Sequence, residues 1–374
     1  MNGSLPAALP QLSIAEGSPP EVSIIIPARN EELSLGDCLQ SLTTQTGVTF
    51  EIIVVDDASS DCTREIARSF AGVRVISAGP LPSGWTGKNN AVVAGTRVAS
   101  GRWFLFTDAD TVHLPGSLAR ALDQAKKERA ELLSYSPQQV VATFAERAVM
   151  PVIFAELAAK YPLYKVREST SKVVAANGQY ILVRRAAYNT VGGHAAVATE
   201  ILEDVALARL FRNAGLRVYF RYGGHAVRAR MYRNWAQMRE GWTKNLALLF
   251  PQPEFLAFQS LLLWLAAWAS FGIALTGAAS RHFGWIAFAV FWLLVYRRIN
   301  IAHFAAGNNL LAIVAGPPMF VYLLLRSKKA HASGQVSWKG RDYPVRERNE
   351  STAVDMQSTE PILLGKDQKL RTGS

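Results

Sequence analysis

The chain has 374 residues, a net charge of +11 and a sequence pI of about 9.7. That length is enough for a sizeable core and more than one domain. Lys and Arg flank apolar segments and follow no zinc-finger or basic-zipper spacing, so the charge points to an anionic membrane surface and not to nucleic acid. The two cysteines, Cys38 and Cys62, are too few for a thiolate metal site or a disulfide framework. Both read as small buried residues in a reducing compartment.

Residues 1–21 are rich in Pro, Ser, Gly and Ala and carry no basic stretch leading into an apolar one. They read as a flexible N-terminus with no signal peptide, which leaves the following domain in the cytoplasm. Val22–Ile26, ended by Pro27, reads as a buried parallel strand. Asn30-Glu31-Glu32 leads into helical spacing over Leu33–Leu42. Glu51–Val55 is a second strand, followed by the turn Asp56–Asp61 and a helix over Thr63–Phe70. Val73–Ile76 is a third strand, Lys88–Ala99 a helix, and Trp103–Thr107 a fourth strand ending at Asp108 and Asp110. This alternation implies right-handed crossovers and a mostly parallel sheet covered by helices on both faces. Ligands of such sheets bind at the carboxyl ends of the strands, where Asp57, Asp108 and Asp110 fall. Further on, Leu132–Ser136, Gln179–Val183 and Leu216–Tyr222 read as strands, and Leu202–Asn213 as a helix stopped by Gly215.

From Leu256 the character changes. Leu256–Ala279 holds no charged residue and exceeds the ~20 apolar residues that span a bilayer. Phe283–Tyr296 is apolar but short, with a core or interfacial helix as the alternative. Ile301–Leu325 is interrupted by Asn308, Asn309 and Gly316-Pro317-Pro318. Basic residues before Leu256 and after Leu325 put both flanks on the cytoplasmic side, which requires an even number of crossings. A segment that dips in and returns at Gly316-Pro317-Pro318 would reconcile three apolar segments with that parity. The expected division is a catalytic domain over 22–250 with an interfacial segment near 230–250, a membrane region of two to three helices over 256–325, and a basic, then disordered tail over 326–374.

Three acidic clusters carry the chemistry: Asp56-Asp57, Asp108-Ala109-Asp110 and Glu203-Asp204. Unpaired carboxylates are poor core material, so their repetition at strand and helix ends points to a cleft. Asp108 and Asp110 can converge on one hard cation, Mg²⁺ or Mn²⁺, that also takes diphosphate oxygens. Asp57, acceptor-only when ionised, suits the imide N–H of uracil; the alternative is a helix cap. Asp204 beside Glu203 has the raised pKa a general base needs; the alternative is helix-dipole stabilisation, and one residue can do both. His113, His194 and His225 lack metal-ligand spacing and read as structural.

Together these stretches resemble the family 2 glycosyltransferases. The matching residues are Ile24-Ile25-Ile26-Pro27-Ala28-Arg29-Asn30-Glu31, Val54–Thr63 with Asp56-Asp57, Asp108-Ala109-Asp110 and Glu203-Asp204, within residues 22 to 250. The resemblance implies a Rossmann-like, GT-A type α/β domain, a divalent metal, and inversion at the anomeric carbon of a nucleotide-sugar. It places Pro27, Asn30, Glu31 and Asp57 at the nucleotide, Asp108 at the ribose or metal, Asp110 at the metal, and Asp204 as catalytic base. Gly84–Ala91 and Trp338-Lys339-Gly340-Arg341-Asp342-Tyr343 resemble the membrane-bound members associated with hopanoid and carotenoid biosynthesis, and ceramide glucosyltransferases share a related Lys/Asn stretch. Lys88 is then suited to a phosphate; a solvated lysine at a helix start is the alternative. Relatives that carry Gln-x-x-Arg-Trp differ in spacing from Gln237-Met238-Arg239-Glu240-Gly241-Trp242, which leaves open a role for Arg239 and Trp242 at the diphosphate and acceptor, with an amphipathic interfacial helix as the alternative.

The expectation is therefore a multi-pass inner-membrane enzyme with its catalytic domain in the cytoplasm. It moves a hexose, as a UDP-sugar in the first instance, to a lipid hydroxyl of hopanoid, carotenoid, sphingolipid or polyprenyl type. The alternatives are a processive polysaccharide synthase and a non-catalytic nucleotide-sugar-binding membrane protein.

Overall fold

The computed structural model describes residues 19–168, 170–276 and 281–344. The expectations for residues 1–18, for 277–279 and for the tail past 344 lie outside the described residues. A seven-stranded sheet runs in the order β3 (Val73–Ser77), β2 (Phe50–Asp56), β1 (Val22–Ala28), β4 (Trp103–Phe106), β8 (Ile181–Arg184), β6 (Leu132–Ser136), β9 (Val218–Tyr222). All neighbours are parallel except that β8 runs antiparallel to both β4 and β6. The expected mostly parallel α/β sheet is thus present, with one reversed strand. A small second sheet is built from β5 (Thr111–His113), β10 (Val227–Ala229) and β7 (Gln138–Gln139).

The strand sequences explain the layering. Ile24, Ile26, Ile52 and Val54 bury one sheet face under α1 (Leu35–Thr43) and α4 (Ser117–Lys127). Ile25, Ile53 and Val55 bury the other under α3 (Gly87–Val98). A strand apolar on both faces can sit only between two helix layers. β1 runs two residues beyond the expected end, through Pro27. Its missing N–H does no harm there, because pairing with β4 stops at Ile25 opposite Phe106. The remaining helices of the sheet region are α2 (Thr63–Arg68), α7 (Arg185–Thr190) and α8 (Glu203–Asn213).

A third core lies beyond the sheet. It joins α5 (Phe144–Lys160), α9 (Trp235–Leu249) and α12 (Ala306–Ala332), with the short α6 (Leu163–Arg167) alongside. α5, absent from the sequence expectations, is started by a capping box: Thr143 Oγ1 accepts from the Glu146 N–H, and Glu146 returns to the Thr143 N–H at 2.7 Å. α10 (Pro253–Thr276) and α11 (Arg281–Asn300) lie antiparallel, with Trp268 against Trp292 and Phe271 against Phe288. Two helices, α10 and α12, are long and apolar enough to cross a membrane.

α12 corrects one expectation. It is a single helix that continues through Pro317 and Pro318, with no dip and return. Its apolar window is 44% buried against 11% for α10. One end is tied to α5, where Arg147 Nε donates to Asn308 Oδ1 at 2.8 Å. The other is tied to α9, where Ser327 Oγ donates to the Thr243 carbonyl at 2.7 Å and accepts from the Ala247 N–H at 2.9 Å. α12 is therefore a floor under the third core. A second correction concerns the cysteines: Cys38 is buried, but Cys62 is exposed, because it sits just before α2 with its side chain turned away from the sheet.

Gly316 marks the closest approach of α12 to α5, since a Cβ there would overlap the Ala148 carbonyl and the Val152 side chain. Gly316→Val should lower stability by ~1–3 kcal/mol, the usual penalty for overpacking, seen as a reduced midpoint of thermal unfolding in detergent. An unchanged midpoint would mean that the two helices do not meet there.

Candidate active site

The sheet reverses its strand order between β1 and β4, and crevices form at such points outside the carboxyl ends of the strands. Asp57 follows β2, Asp108 and Asp110 follow β4, and Asp204 lies in the first turn of α8. All four line one cavity of about 420 Å³, together with Pro27, Glu31 and Lys88. Asn30 is the exception. Its Oδ1 accepts from the Ser60 N–H at 2.9 Å, so it braces the loop after β2 and stays out of the cavity.

The Asp108–Asp110 turn is pinned from below. Thr107 Oγ1 donates to the Gln179 carbonyl at 2.8 Å, and Thr111 Oγ1 donates to the Asp108 carbonyl at 2.8 Å. His113 Nε2 closes this group at 3.1 Å from Thr107 Oγ1, and burial takes its pKa down to about 3. That is the structural role expected of it. His194, paired through Nδ1 with the Tyr188 hydroxyl at 3.0 Å, and His225, edge-on to Tyr135, are structural as well.

Lys88 stands at the centre of the charges. Its ammonium lies 2.7 Å from Asp108 Oδ1 and 2.8 Å from Glu203 Oε1. Burial alone would lower its pKa, but the two carboxylates outweigh burial and hold it well above the usual lysine value. Burial alone would raise Glu203, and Lys88 pulls it below the usual carboxylate range. Gly178 is required beside this pair, because a Cβ there would come within 2.8 Å of Lys88 Nζ and 3.2 Å of Glu203 Oε1.

Asp204 and Asp110 both shift upward, opposite to Glu203. Burial, and then the Glu203 charge, raise Asp204 to about 6. Two backbone donors hold it in place, the Gly178 N–H on Oδ2 at 2.9 Å and the Val205 N–H on Oδ1 at 2.8 Å. Burial, with Asp108 and Glu31, raises Asp110 to about 7, outweighing Lys339 and Lys88. Its Oδ1 accepts a long hydrogen bond, 3.4 Å from Gln179 Nε2. A recessed carboxylate with so little compensation suits a cation. The donors on this turn are hard oxygens, as Mg²⁺ or Mn²⁺ prefers, and the rest of the shell would come from phosphate and water. Among the described residues no cluster of three or more His, Cys, Asp or Glu is arranged to hold a metal by itself.

Several cavity residues escaped the sequence reading. Lys244, on α9, points its ammonium at the Trp338 ring, 5.3 Å from the centroid, and burial lowers its pKa. Trp242 is buried and lines the cavity, whereas Arg239 does not. Part of the lining is apolar, formed by Phe154 and Leu157 of α5, Trp242 and Leu249 of α9, and Ile301. No spacing in the sequence links these segments; only the third core brings them beside Asp204.

Residues 23–192 match the family model described as Glycosyl transferase family 2. A curated relative, the 4,4'-diaponeurosporenoate glycosyltransferase of Staphylococcus aureus strain MRSA252, is 28% identical over 341 residues, covering 87% of this chain and 88% of its own. Among solved structures, the mannosyltransferase of Pyrobaculum calidifontis in complex with GDP-Man and Mn²⁺ aligns with a TM-score of 0.44 at 15% identity, covering 84% of this chain and 87% of that one. The glucosyl-3-phosphoglycerate synthase of Mycobacterium tuberculosis, solved with Mn²⁺, UDP and glucosyl-3-phosphoglycerate, aligns with a TM-score of 0.41 at 21% identity, covering 66% and 86%.

If Asp204 is the base, transfer requires its carboxylate form. The rate should fall as pH drops through about 6, the value to which burial and Glu203 raise it. A pH–rate profile of the wild-type protein checks this, and a rate that stays flat between pH 5 and 7 (a window of about one unit either side) would remove Asp204 from the proton transfer.

Proposed function

We propose that this protein transfers a hexose, with inversion, from a nucleotide-sugar to the hydroxyl of a lipid acceptor at the cytoplasmic membrane face. The observation that carries the reading is the shared cavity, lined both by four acidic strand-end and helix-start residues and by apolar side chains of α5 and α9. UDP-hexose is the donor we favour, with Asp57 as the acceptor for an imide N–H. Asp108 and Asp110 would hold Mg²⁺ or Mn²⁺; when bound, the ion neutralises charge on the leaving diphosphate. Asp204 takes the proton of the acceptor hydroxyl as its oxygen bonds to the anomeric carbon. The bond from that carbon to the diphosphate oxygen breaks, and the nucleoside diphosphate departs on the opposite face. General-base help of this kind contributes ~10²–10⁴ in rate.

Membrane placement follows from exposure. α10 and α11 present Phe258, Leu262, Leu265, Phe283, Ile286 and Leu294 outward, far more apolar surface than a soluble face carries. Arg298, at the end of α11, pairs with Glu156 of α5 at 2.9 Å and holds the two helices against the catalytic domain. A lipid headgroup then meets the apolar wall without leaving the bilayer surface.

One observation favours a second acceptor class. The Staphylococcus aureus relative is named for a carotenoid carboxylate. In this chain Lys244 places an ammonium in the cavity that such a group would find attractive. A carboxylate nucleophile carries no proton to remove, and its product is a glycosyl ester.

Asp204→Asn separates the two. With a hydroxyl acceptor it should leave donor binding intact and lower transfer by ~10²–10⁴, measured with UDP-hexose and lipid extract, the product identified by mass spectrometry. Retained transfer with a hydroxylamine-labile product would establish the ester, and a polymeric product would establish a synthase. Asp110→Ala should abolish the metal dependence of donor binding, read by calorimetry with and without EDTA; binding that ignores EDTA in the wild type would refute the metal assignment.

A further inference from the structure

The stretch Trp338–Tyr343 has no part in the reading above, yet it reaches the heart of the site. After α12 the chain forms a hairpin, β11 (Gln335–Trp338) and β12 (Arg341–Pro344), with Trp338 opposite Arg341. Its two-residue turn has φ of +45° at Lys339 and +72° at Gly340, the pattern of a type I′ turn. Glycine or asparagine is the usual occupant of the first position, so a lysine there carries backbone strain. What the lysine gains is position. Its ammonium reaches Glu31 Oε1 at 2.5 Å and the Arg29 carbonyl at 2.9 Å, while its N–H donates to Glu240 Oε1 at 2.9 Å.

Arg341 goes further. It grips Asp57 with both guanidinium arms, Nη2 to Oδ1 at 3.0 Å and Nη1 to Oδ2. Arg29 locks the turn to the sheet, donating from Nε to the Lys339 carbonyl at 3.3 Å and from Nη1 to the Asp57 carbonyl at 2.8 Å. Gly87 makes room, because a Cβ there would overlap the Arg341 guanidinium and the Asp57 carboxylate. Trp338 and Lys339 line the same cavity as Asp108, Asp110 and Asp204.

We propose that the 335–344 hairpin is part of the donor-binding site, with Arg341 positioning Asp57, and with Lys339, which lines the cavity, positioning Glu31 and receiving a nucleoside diphosphate. This rests on the nucleotide-sugar reading above. The physical argument is one of charge. Asp57 and Glu31 are carboxylates on the path of an anionic ligand, and without the hairpin they would repel it. With the hairpin each is neutralised, and each ionised carboxylate oxygen keeps a further lone pair for a base or ribose donor. A partly buried ion pair by itself contributes little to stability, so two such pairs joining segments about 300 positions apart are better explained by a ligand than by the fold.

The test is UDP and GDP binding, by calorimetry on the full chain in detergent, for wild type, Arg341→Gln, Lys339→Gln and Arg341→Lys. The expected result is UDP affinity about tenfold or more weaker in each Gln variant, the usual loss for a charge-assisted hydrogen bond. Arg341→Lys should recover part of it, because the charge remains while the two-armed geometry is lost. Thermal unfolding of each variant shows whether it is folded, and if Arg341→Gln is not, Arg341→Lys and Lys339→Gln carry the test. UDP affinity equal to wild type in folded variants would make the hairpin purely structural and overturn the proposal. Tighter UDP binding in the variants would make it a plug that competes with the ligand, and would also overturn it. Wild-type protein that binds neither UDP nor GDP would sink the donor reading, and this inference with it.

Discussion

The structure turns on one ammonium between two carboxylates. Lys88 comes from the start of α3, Asp108 from the end of β4 and Glu203 from the start of α8, and no two of these are neighbours in the chain. Their meeting sets the spacing of the site. It fixes the side of the cavity where Asp204 is presented, and it leaves Asp110 as the carboxylate that burial and its neighbours push toward neutrality. Two adjacent acidic residues thereby acquire different chemistry. Glu203 is held ionised by Lys88, and Asp204 is held near the titration range by burial and the Glu203 charge. An environment that separates the pKa values of paired carboxylates is a common means of dividing roles between them.

A second constraint is the floor. α12 passes beneath α5 and α9 and is tied to both, so the apolar wall of the cavity rests on a helix whose composition alone would place it across a bilayer. The apolar surface left outward belongs chiefly to α10 and α11. α5, α9 and α12 therefore form one packed core whose side chains share a cavity with the acidic rim. α12 also carries the hairpin of residues 335–344 back to Asp57, so the last described segment of the chain is returned to one of its first strands.

Much of the sheet was legible because its signals are local. The apolar runs at Val22–Ile26 and Glu51–Val55 become β1 and β2, and each is followed by polar turn residues that a strand cannot continue through. The acidic clusters could be read as a site for the same reason, since ionised groups at strand ends make sense only at a cleft. The misses have a different origin. α5 is apolar on most sides and lacks the stripe that marks a surface helix, because it is enclosed by α9 and α12. Cys62 was taken as buried from the habit of its residue type, and a turn before α2 left it outside. Asn30 shares a motif with Pro27 and Glu31, yet its positive φ of +52° turns it toward Ser60 and away from the cavity.

The sequence by itself determined the element order of the parallel half, the carboxylates that mark its rim and the apolar character of the C-terminal third, because strand periodicity, charge and hydropathy are carried by neighbouring residues. Only the tertiary structure decided that Lys88 bridges Asp108 and Glu203, that α12 runs unbroken as a floor, and that Arg341 and Lys339 return to Asp57 and Glu31. Those pairings join residues up to about 300 positions apart, and a long-range contact leaves no trace in local spacing. It depends on where the sheet and the third core place each end.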